Sequence, residues 1–142
     1  MATLTLARCR KILRAAENKA RELDLKPISV VVLDGGGNVM AFERADGASP
    51  GRFEIARGKA YGAVMLGMGG QAQMARAESQ AYFMAAVNGA FGGKTVPVPG
   101  GVLIRDGRNQ VIGAVGVTGD TSDNDALCAI AAIEAAGYTA EA

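Results

Sequence analysis

The chain has 142 residues and a mass of 14.5 kDa, a length that suits one domain. Its net charge is only +1, and it has three tyrosines and no tryptophan. It therefore lacks both the basic field and the stacking side chains that are typical of nucleic-acid binding. Hydrophobic residues make up 49% of the chain and charged residues only 20%, more apolar surface than a small monomer easily buries. We therefore expect a homo-oligomer that does not bind nucleic acid.

The two cysteines and the first residues indicate a compartment. Cys9 and Cys128 lie far apart in sequence and lack metal-binding or redox spacing, so we expect two buried free thiols. The N-terminal residues lack the apolar core of a signal peptide, and no run reaches the roughly 20 apolar residues that span a bilayer. The sequence therefore predicts a cytoplasmic protein without a membrane partner.

Two elements are predicted in the first third of the chain. Apolar residues recur every three or four positions from residue 6 to residue 23, which predicts a helix that ends before Pro27. Residues 28–33 and 39–42 are rich in β-branched and apolar side chains, and the residues between them tolerate positive φ. This pattern predicts a β-hairpin.

The rest of the chain predicts helices, a second hairpin and a last helix. Residues 52–66 and 71–87 are helical stretches separated by a glycine-rich segment, and we expect them to pack on each other and on the sheet. Residues 102–105 and 111–117 form the second hairpin, whose turn repeats the Asp-Gly-x-x-amide-Val pattern of the first. The last helix begins at Thr121 and ends near Gly137. Residues 1–142 are thus predicted to form a single α+β domain, an antiparallel sheet flanked by helices.

Several kinds of site are excluded by the sequence. The chain has no histidine, the usual haem ligand and the usual base near neutral pH. The glycines at 35–37 precede a strand rather than a helix, which excludes a dinucleotide loop. Asp120, Asp123 and Asp125 lie at a helix start, where the helix dipole explains them, and they lack the spacing of a calcium loop. No metal site is predicted.

Lys94 lies in a segment that imitates the end of a phosphate-binding loop. The first glycine of that motif is displaced by one position, and Pro97 and Pro99 block the helix that must follow. Two interpretations of Lys94 remain, a contact with an anionic group or a solvated loop lysine.

The bend at residues 116–120 is the strongest candidate for a ligand site. It follows a strand and leads into a helix start, so that backbone amides and the positive helix end favour an anion or a carbonyl oxygen. The candidate ligand-binding residues of this region are Gly100, Gly116, Thr118, Gly119 and Asp120. In the alternative interpretation, Thr118 and Asp120 only satisfy the bend itself.

Three segments resemble the GlcG/HbpS family, which includes the C-terminal domain of PduO and several haem-binding proteins. They are Arg44 with the Asp46-Gly47-Ala48 run, Lys59 with Ala60, and the 116–119 bend followed by Asp125. The resemblance covers nearly the whole chain and implies an α+β domain near the profilin or PAS type, usually oligomeric. It also implies haem as a possible cofactor, although this chain offers only Met, Tyr, Cys or Lys as axial ligands.

Two functional hypotheses follow. In the first, the protein is a small-ligand-binding accessory protein, whose pocket uses Arg44, Lys59 and the bend to hold an anionic molecule or a tetrapyrrole. In the alternative, it is a lyase, isomerase or deaminase of a small carboxylate, in which Arg44 orients the acid and Asp125 or Asp46 moves a proton. A purely structural interpretation is that Asp46 caps a turn and pairs with Arg44. The sequence favours binding, because it contains no evident pair of nucleophile and base.

Overall fold

The sheet has five antiparallel strands in the order β2-β1-β4-β3-β5. The computed structural model describes residues 4–142. In chain order the elements are α1 (Leu6–Glu22), β1 (Ser29–Asp34), β2 (Val39–Arg44), α2 (Arg52–Leu66), α3 (Gly70–Ser79), α4 (Ala81–Ala90), β3 (Gly101–Arg105), β4 (Val111–Thr118), α5 (Ser122–Ala135) and β5 (Thr139–Glu141). The predicted α+β fold is confirmed.

The two faces of the sheet carry different helices. Because successive side chains of a strand point to opposite faces, Val30 and Val32 pack with α1 and α5, whereas Val31 and Leu33 pack with α2. The contact between this face and α2 is built largely from small residues, among them Ala56 of the helix. The sheet is therefore covered on both sides by apolar contacts.

Glycines let α2 lie directly on the strands. A Cβ atom at Gly116 would be 2.0 Å from the carbonyl oxygen of Ala56, and one at Gly101 would be 2.2 Å from that of Lys59. No side chain of any size fits at either position, so these glycines set the distance between helix and sheet.

The two predicted hairpins are confirmed, and their turns use the same chemistry. Asp34 Oδ1 accepts hydrogen bonds from the amides of Gly36 and Asn38, each at 2.9 Å. Asp106 Oδ1 accepts the equivalent bonds from Arg108 and Gln110, also at 2.9 Å. Both turns lie at the same end of the sheet, because β1 and β4 pair antiparallel.

The prediction of one helix over 71–87 was wrong, since the chain forms two helices that meet at Gln80. Gln80 leaves the helical region with φ −140° and ψ 63°, and its side-chain oxygen accepts a hydrogen bond from Arg76. The Arg76 guanidinium also lies 4.3 Å from the centre of the Phe83 ring, which joins the two helices across the break. Neither glycine nor proline marks this position in the sequence.

The packing of these helices also differs from the expectation. Within residues 4–142, α4 packs on α3 and on no other helix or strand. The short strand β5 was not predicted, and Leu6 and Leu23, at the two ends of the predicted apolar stripe, are exposed. None of the helices described within residues 4–142 combines the length and the hydropathy of a membrane-spanning segment.

Candidate functional site

A buried ion pair joins the two faces of the sheet at the end opposite the hairpin turns. Lys59 Nζ of α2 lies 3.2 Å from Asp125 Oδ2 of α5 and donates a hydrogen bond of 3.0 Å to the carbonyl oxygen of Val117. The two residues are only 3% and 1% exposed. A Cβ atom at Gly100 would lie 2.9 Å from Lys59 Nζ, so the glycine leaves room for the ammonium group.

Burial sets the direction of both pKa shifts in this pair. It lowers the pKa of Lys59 and raises the pKa of Asp125, and the attraction between the two groups opposes each shift. Arg52 adds to the lowering of the Lys59 pKa, which places a second cation near the pair.

Two amides at the end of the predicted bend, those of Asp120 and Thr121, are bound by carboxylates of the chain itself and are therefore not free for a ligand. Asp125 Oδ1 accepts from the amide of Asp120 at 3.0 Å. Asp120 in turn accepts from the amides of Thr121 and Lys26 and from the Asn124 side chain, at 2.8 to 3.0 Å. These bonds, with that of Asn124 the largest contribution, lower the pKa of Asp120 to about 2.

The predicted ligand-binding glycines have packing contacts at the same end of the sheet. Gly119 has φ +145°, and a Cβ atom there would be 2.3 Å from the carbonyl oxygen of Pro27. The corresponding space at Gly116 and Gly100 is taken by Ala56 and Lys59. Each glycine thus allows a close approach of protein atoms, and its part in ligand binding stays a prediction.

A row of polar residues crosses three strands beneath the start of α2. Thr118 pairs with Ser29, and Ser29 pairs with Arg44, so the three side chains share the face that α2 covers. Arg52 Nη1 donates to Thr118 Oγ1 at 3.0 Å, and its Nε donates to Ser49 Oγ at 3.0 Å. Ser29 Oγ is buried and has no hydrogen-bond partner.

Sequence reasoning missed Ser29 and Arg52. Ser29 had a detectable signal, because it is the one polar residue in the run of residues 28–33. Arg52 had no detectable signal in the sequence, since an arginine at the start of a helix is common on protein surfaces.

An open groove of about 660 Å³ lies between α1 and the edge strand β2. Its apolar lining is Leu13, Leu25, Pro27, Ile28, Val30 and Ala45, and its charged lining is Glu17, Arg21, Glu43, Arg44 and Asp46. Arg21 Nε lies 3.5 Å from Glu17 Oε1, so these two charges form an ion pair. An adjoining hollow of about 330 Å³ adds Arg10, Arg14 and Asn18 along α1.

The structure divides the residues predicted for the site. Arg44 and Asp46 line the groove, whereas Lys59, Thr118 and Asp125 meet at the end of the sheet. Among residues 4–142 there is no ion pair between Arg44 and Asp46, so the structural interpretation of that pair is not supported.

Lys94 is also separate from the other predicted residues. Its ammonium lies 5.3 Å from the centre of the Tyr61 ring, and Tyr61 packs beside Gly37 in the β1–β2 turn. Arg44 lies at the other end of β2. Lys94 therefore does not share a site with Arg44.

The groove does not supply the ligands that haem iron requires. Its lining contains no His, Cys, Met, Tyr or Lys side chain. Cys9 and Cys128 are buried, and burial raises the pKa of both thiols, that of Cys128 to about 11. Within the described residues, no group of three or more His, Cys, Asp or Glu side chains is arranged to hold a metal ion. The residues that line the groove therefore do not fit axial ligation of haem.

Solved structures share the fold. A complex of PduOC with haem superimposes with a TM-score of 0.87, covering 99% of this chain and 100% of that one at 23% identity. The Klebsiella pneumoniae protein ORFY gives a TM-score of 0.82 at 30% identity, with 96% and 92% of the two chains covered. A variant of Streptomyces reticuli HbpS gives 0.79 at 27% identity, with 94% and 87% covered.

Sequence comparison gives the same relationship. A protein of 15.0 kDa from Citrobacter freundii, encoded in the dhaT-dhaS intergenic region and uncharacterized, is 33% identical over 136 residues, which are 94% of this chain and 92% of that protein. The family model described as haem degrading protein HbpS-like matches residues 4–134. The chain belongs to this HbpS-like family.

Proposed function

We propose that the protein binds a small amphipathic organic acid in the groove between α1 and β2. The groove itself carries this proposal, because it combines about 660 Å³ of space with buried apolar residues and two arginines. Ligand pockets typically have this size and set polar groups beside an apolar wall. Here Glu17, Glu43 and Asp46 border the groove beside the two arginines.

The lining defines the class of ligand. Leu25, Pro27 and Ala45 leave apolar surface open to a flat ring, while Arg21 and Arg44 offer planar donors to carboxylates. A tetrapyrrole has both features, and PduOC, which shares the fold, has been crystallised with haem. Recognition then rests on the ring and its carboxylates, since no residue of the groove ligates iron.

Binding without turnover is supported by the state of the predicted proton-transfer residues. Asp125 is buried, and both of its oxygens are engaged, by Lys59 and by the amide of Asp120. Asp46 is exposed at the groove and lies apart from that pair. The enzyme hypothesis requires a substrate in reach of one of these carboxylates, and only Asp46 borders the groove.

The test is a comparison of haemin with iron-free protoporphyrin and with a panel of small mono- and dicarboxylates, by fluorescence quenching and thermal shift. Without an axial ligand, haemin and protoporphyrin bind with dissociation constants within about threefold of each other. Arg44→Ala weakens porphyrin binding by roughly tenfold, because a charge-assisted hydrogen bond is lost. Arg108→Ala, in the exposed β3–β4 turn, is the matched control and leaves binding unchanged.

Two other results would each contradict the proposal, for different reasons. Preference for haemin by a hundredfold, with a shifted Soret band, would show iron ligation by the protein. Stabilisation by a small acid alone, followed by its conversion to a product that Asp46→Asn abolishes, would establish the enzyme hypothesis.

We also propose that the protein is a homo-oligomer and that α4 lies at the contact between copies. The segment of residues 79–93 contains no charged residue, and Tyr82 on α4 is 74% exposed. The test is the solution mass of the wild-type chain and of Tyr82→Glu. A cytoplasmic location is part of the same proposal, supported by two buried cysteines that form no disulfide.

A further inference from the structure

The start of α2 leaves its backbone amides without a side-chain cap. The N-cap residue is Gly51, which has no side chain to accept from the first turn. The helix has 15 residues, so its N-terminus carries the positive end of a full helix dipole. Taken alone, this feature is compatible with solvation by water.

An independent observation lies beneath this helix start. Ser29 is 0% exposed, and its hydroxyl has no hydrogen-bond partner. It pairs with Thr118, whose hydroxyl is 3.0 Å from Arg52 Nη1 in the first turn of α2. Since a buried hydroxyl without a partner is costly, a group that could satisfy Ser29 at this place is favoured.

The charges around the row favour an anion as that group. Arg52 is the first residue of α2, and Arg44 faces the same side of the sheet beside Ser29. The Lys59 ammonium near Arg52 is already neutralised by Asp125. Glu54, also in the first turn of α2, is exposed and is the one acidic side chain of that turn.

We propose that the start of α2 is a binding site for a small oxyanion, a carboxylate or a phosphate, separate from the groove. The guanidinium of Arg52 exchanges its bond to Thr118 for the anion, and the hydroxyls of Ser29 and Thr118 donate to anion oxygens. The amide of Arg52 already donates to the Ser49 carbonyl oxygen at 3.4 Å, so the other amides of the first turn complete the set of donors. Arg44 contributes positive charge at the border between this site and the groove.

The experiment is a titration of the full chain with inorganic phosphate and with acetate at constant ionic strength, followed by amide NMR. The amides of residues 52–55 shift and saturate for wild type. Ser29→Ala weakens phosphate binding by about tenfold, although it removes a hydroxyl with no partner and therefore leaves the melting temperature unchanged or higher. Arg52→Gln weakens binding to a similar degree, and Glu54→Gln tightens it.

Arg57→Gln is the matched control, because Arg57 lies about one turn further along α2. Its guanidinium carbon is 5.5 Å from the centre of the Phe53 ring, so it stacks on Phe53 instead of facing the row. Equal phosphate affinity in wild type, Ser29→Ala and Arg52→Gln would overturn the proposal, as would shifts that never saturate. Porphyrin binding that Ser29→Ala leaves unchanged, together with lost phosphate binding, supports two separate sites.

Discussion

At the scale of single residues, the Lys59 and Asp125 pair shows how polar groups are placed inside this small protein. Removing two charges from water costs several kcal/mol, and the attraction between them returns that cost only when further hydrogen bonds are present. Here the carbonyl oxygen of Val117 and the amide of Asp120 provide those bonds. The pair therefore fixes the position of α2 relative to α5 more than it adds stability.

Breaking the pair from one side is expected to be costly. Lys59→Met leaves Asp125 buried without its partner and lowers the free energy of unfolding by about 3–5 kcal/mol. Adding Asp125→Asn removes the uncompensated charge but keeps an oxygen for the Asp120 amide, so most of the loss is recovered. Urea unfolding of the two single variants and the double variant measures the difference. Additive losses in the double variant would show that the pair has no coupling.

Asp120 controls the stability of the same region in acid. Its pKa in the folded protein is about 2, below the ordinary value of 3.8, because Asn124, Thr121 and Lys26 donate hydrogen bonds to the carboxylate. Between these values the unfolded chain binds more protons than the folded one, so the contribution of Asp120 is complete above pH 3.8 and is lost as the pH falls towards 2.

The expected outcome is a smaller acid dependence in Asp120→Asn. Urea midpoints at pH 6 and near pH 2.5 are compared for the two proteins, with Asp123→Asn, in the same helix start, as the control. Wild type loses more stability than Asp120→Asn over this interval, and Asp123→Asn behaves as wild type. Parallel pH profiles for all three proteins would contradict the assignment.

At the scale of elements, local chemistry explains which parts could be predicted. Both hairpins were predicted because an aspartate that binds two turn amides acts within five residues. The break at Gln80 was not, since no glycine or proline marks it in the sequence; in the folded chain, Arg76 contacts Phe83 across the break. The strand β5 pairs with β3, far away in sequence, and has only three residues. Such short strands carry too little pattern to be recognised.

For the candidate sites too, local sequence indicated single residues but not the contacts between distant ones. Arg44 and Asp46 were singled out from the sequence and line the groove, but the groove also needs α1, which sequence spacing does not connect to β2. The partnership of Lys59 with Asp125 was missed because the residues are 66 positions apart and lie on opposite faces of the sheet. Cross-sheet contacts of this kind depend on packing, not on local pattern.

The close contact between α2 and the sheet at Gly116 gives a testable prediction. Gly116→Ala places a Cβ atom 2.0 Å from the Ala56 carbonyl oxygen, so α2 must move away, and we expect a loss of more than about 3 kcal/mol. Gly107→Ala, in the β3–β4 turn, meets no atom within 4 Å and is the matched control, with little change. Thermal and urea unfolding measure both. Equal stabilities would show that α2 is not held by this contact.

At the scale of the whole molecule, the α3–α4 pair stands apart from the sandwich of helices and sheet. In the described residues α4 contacts α3 alone among the helices and strands, yet most of its residues are apolar. A stable interface between copies typically buries about 800 Å² per partner, and an uncharged helix beside a second one is suited to such a contact.

The mass of the particle in solution tests this surface. Tyr82→Glu introduces a charge into the uncharged segment and is expected to reduce the mass measured by light scattering to that of a monomer, with the far-UV spectrum retained. Leu127→Glu, at an apolar residue of α5 that is also exposed, is the control and retains the wild-type mass. A monomeric wild type, or loss of assembly only in Leu127→Glu, would contradict the role of α4.

The two hairpin turns at one end of the sheet, each held by hydrogen bonds to an aspartate, affect the order of folding. Each turn closes a loop of a few residues, so that end forms at little entropic cost. The other end is closed by contacts between distant residues, Lys26 with Asp120 at 94 positions apart and Lys59 with Asp125 at 66. Such contacts form late, because the chain between them must already be ordered. The row under α2 is therefore expected to become ordered after the two hairpins, because it also requires β1 to pair with β4.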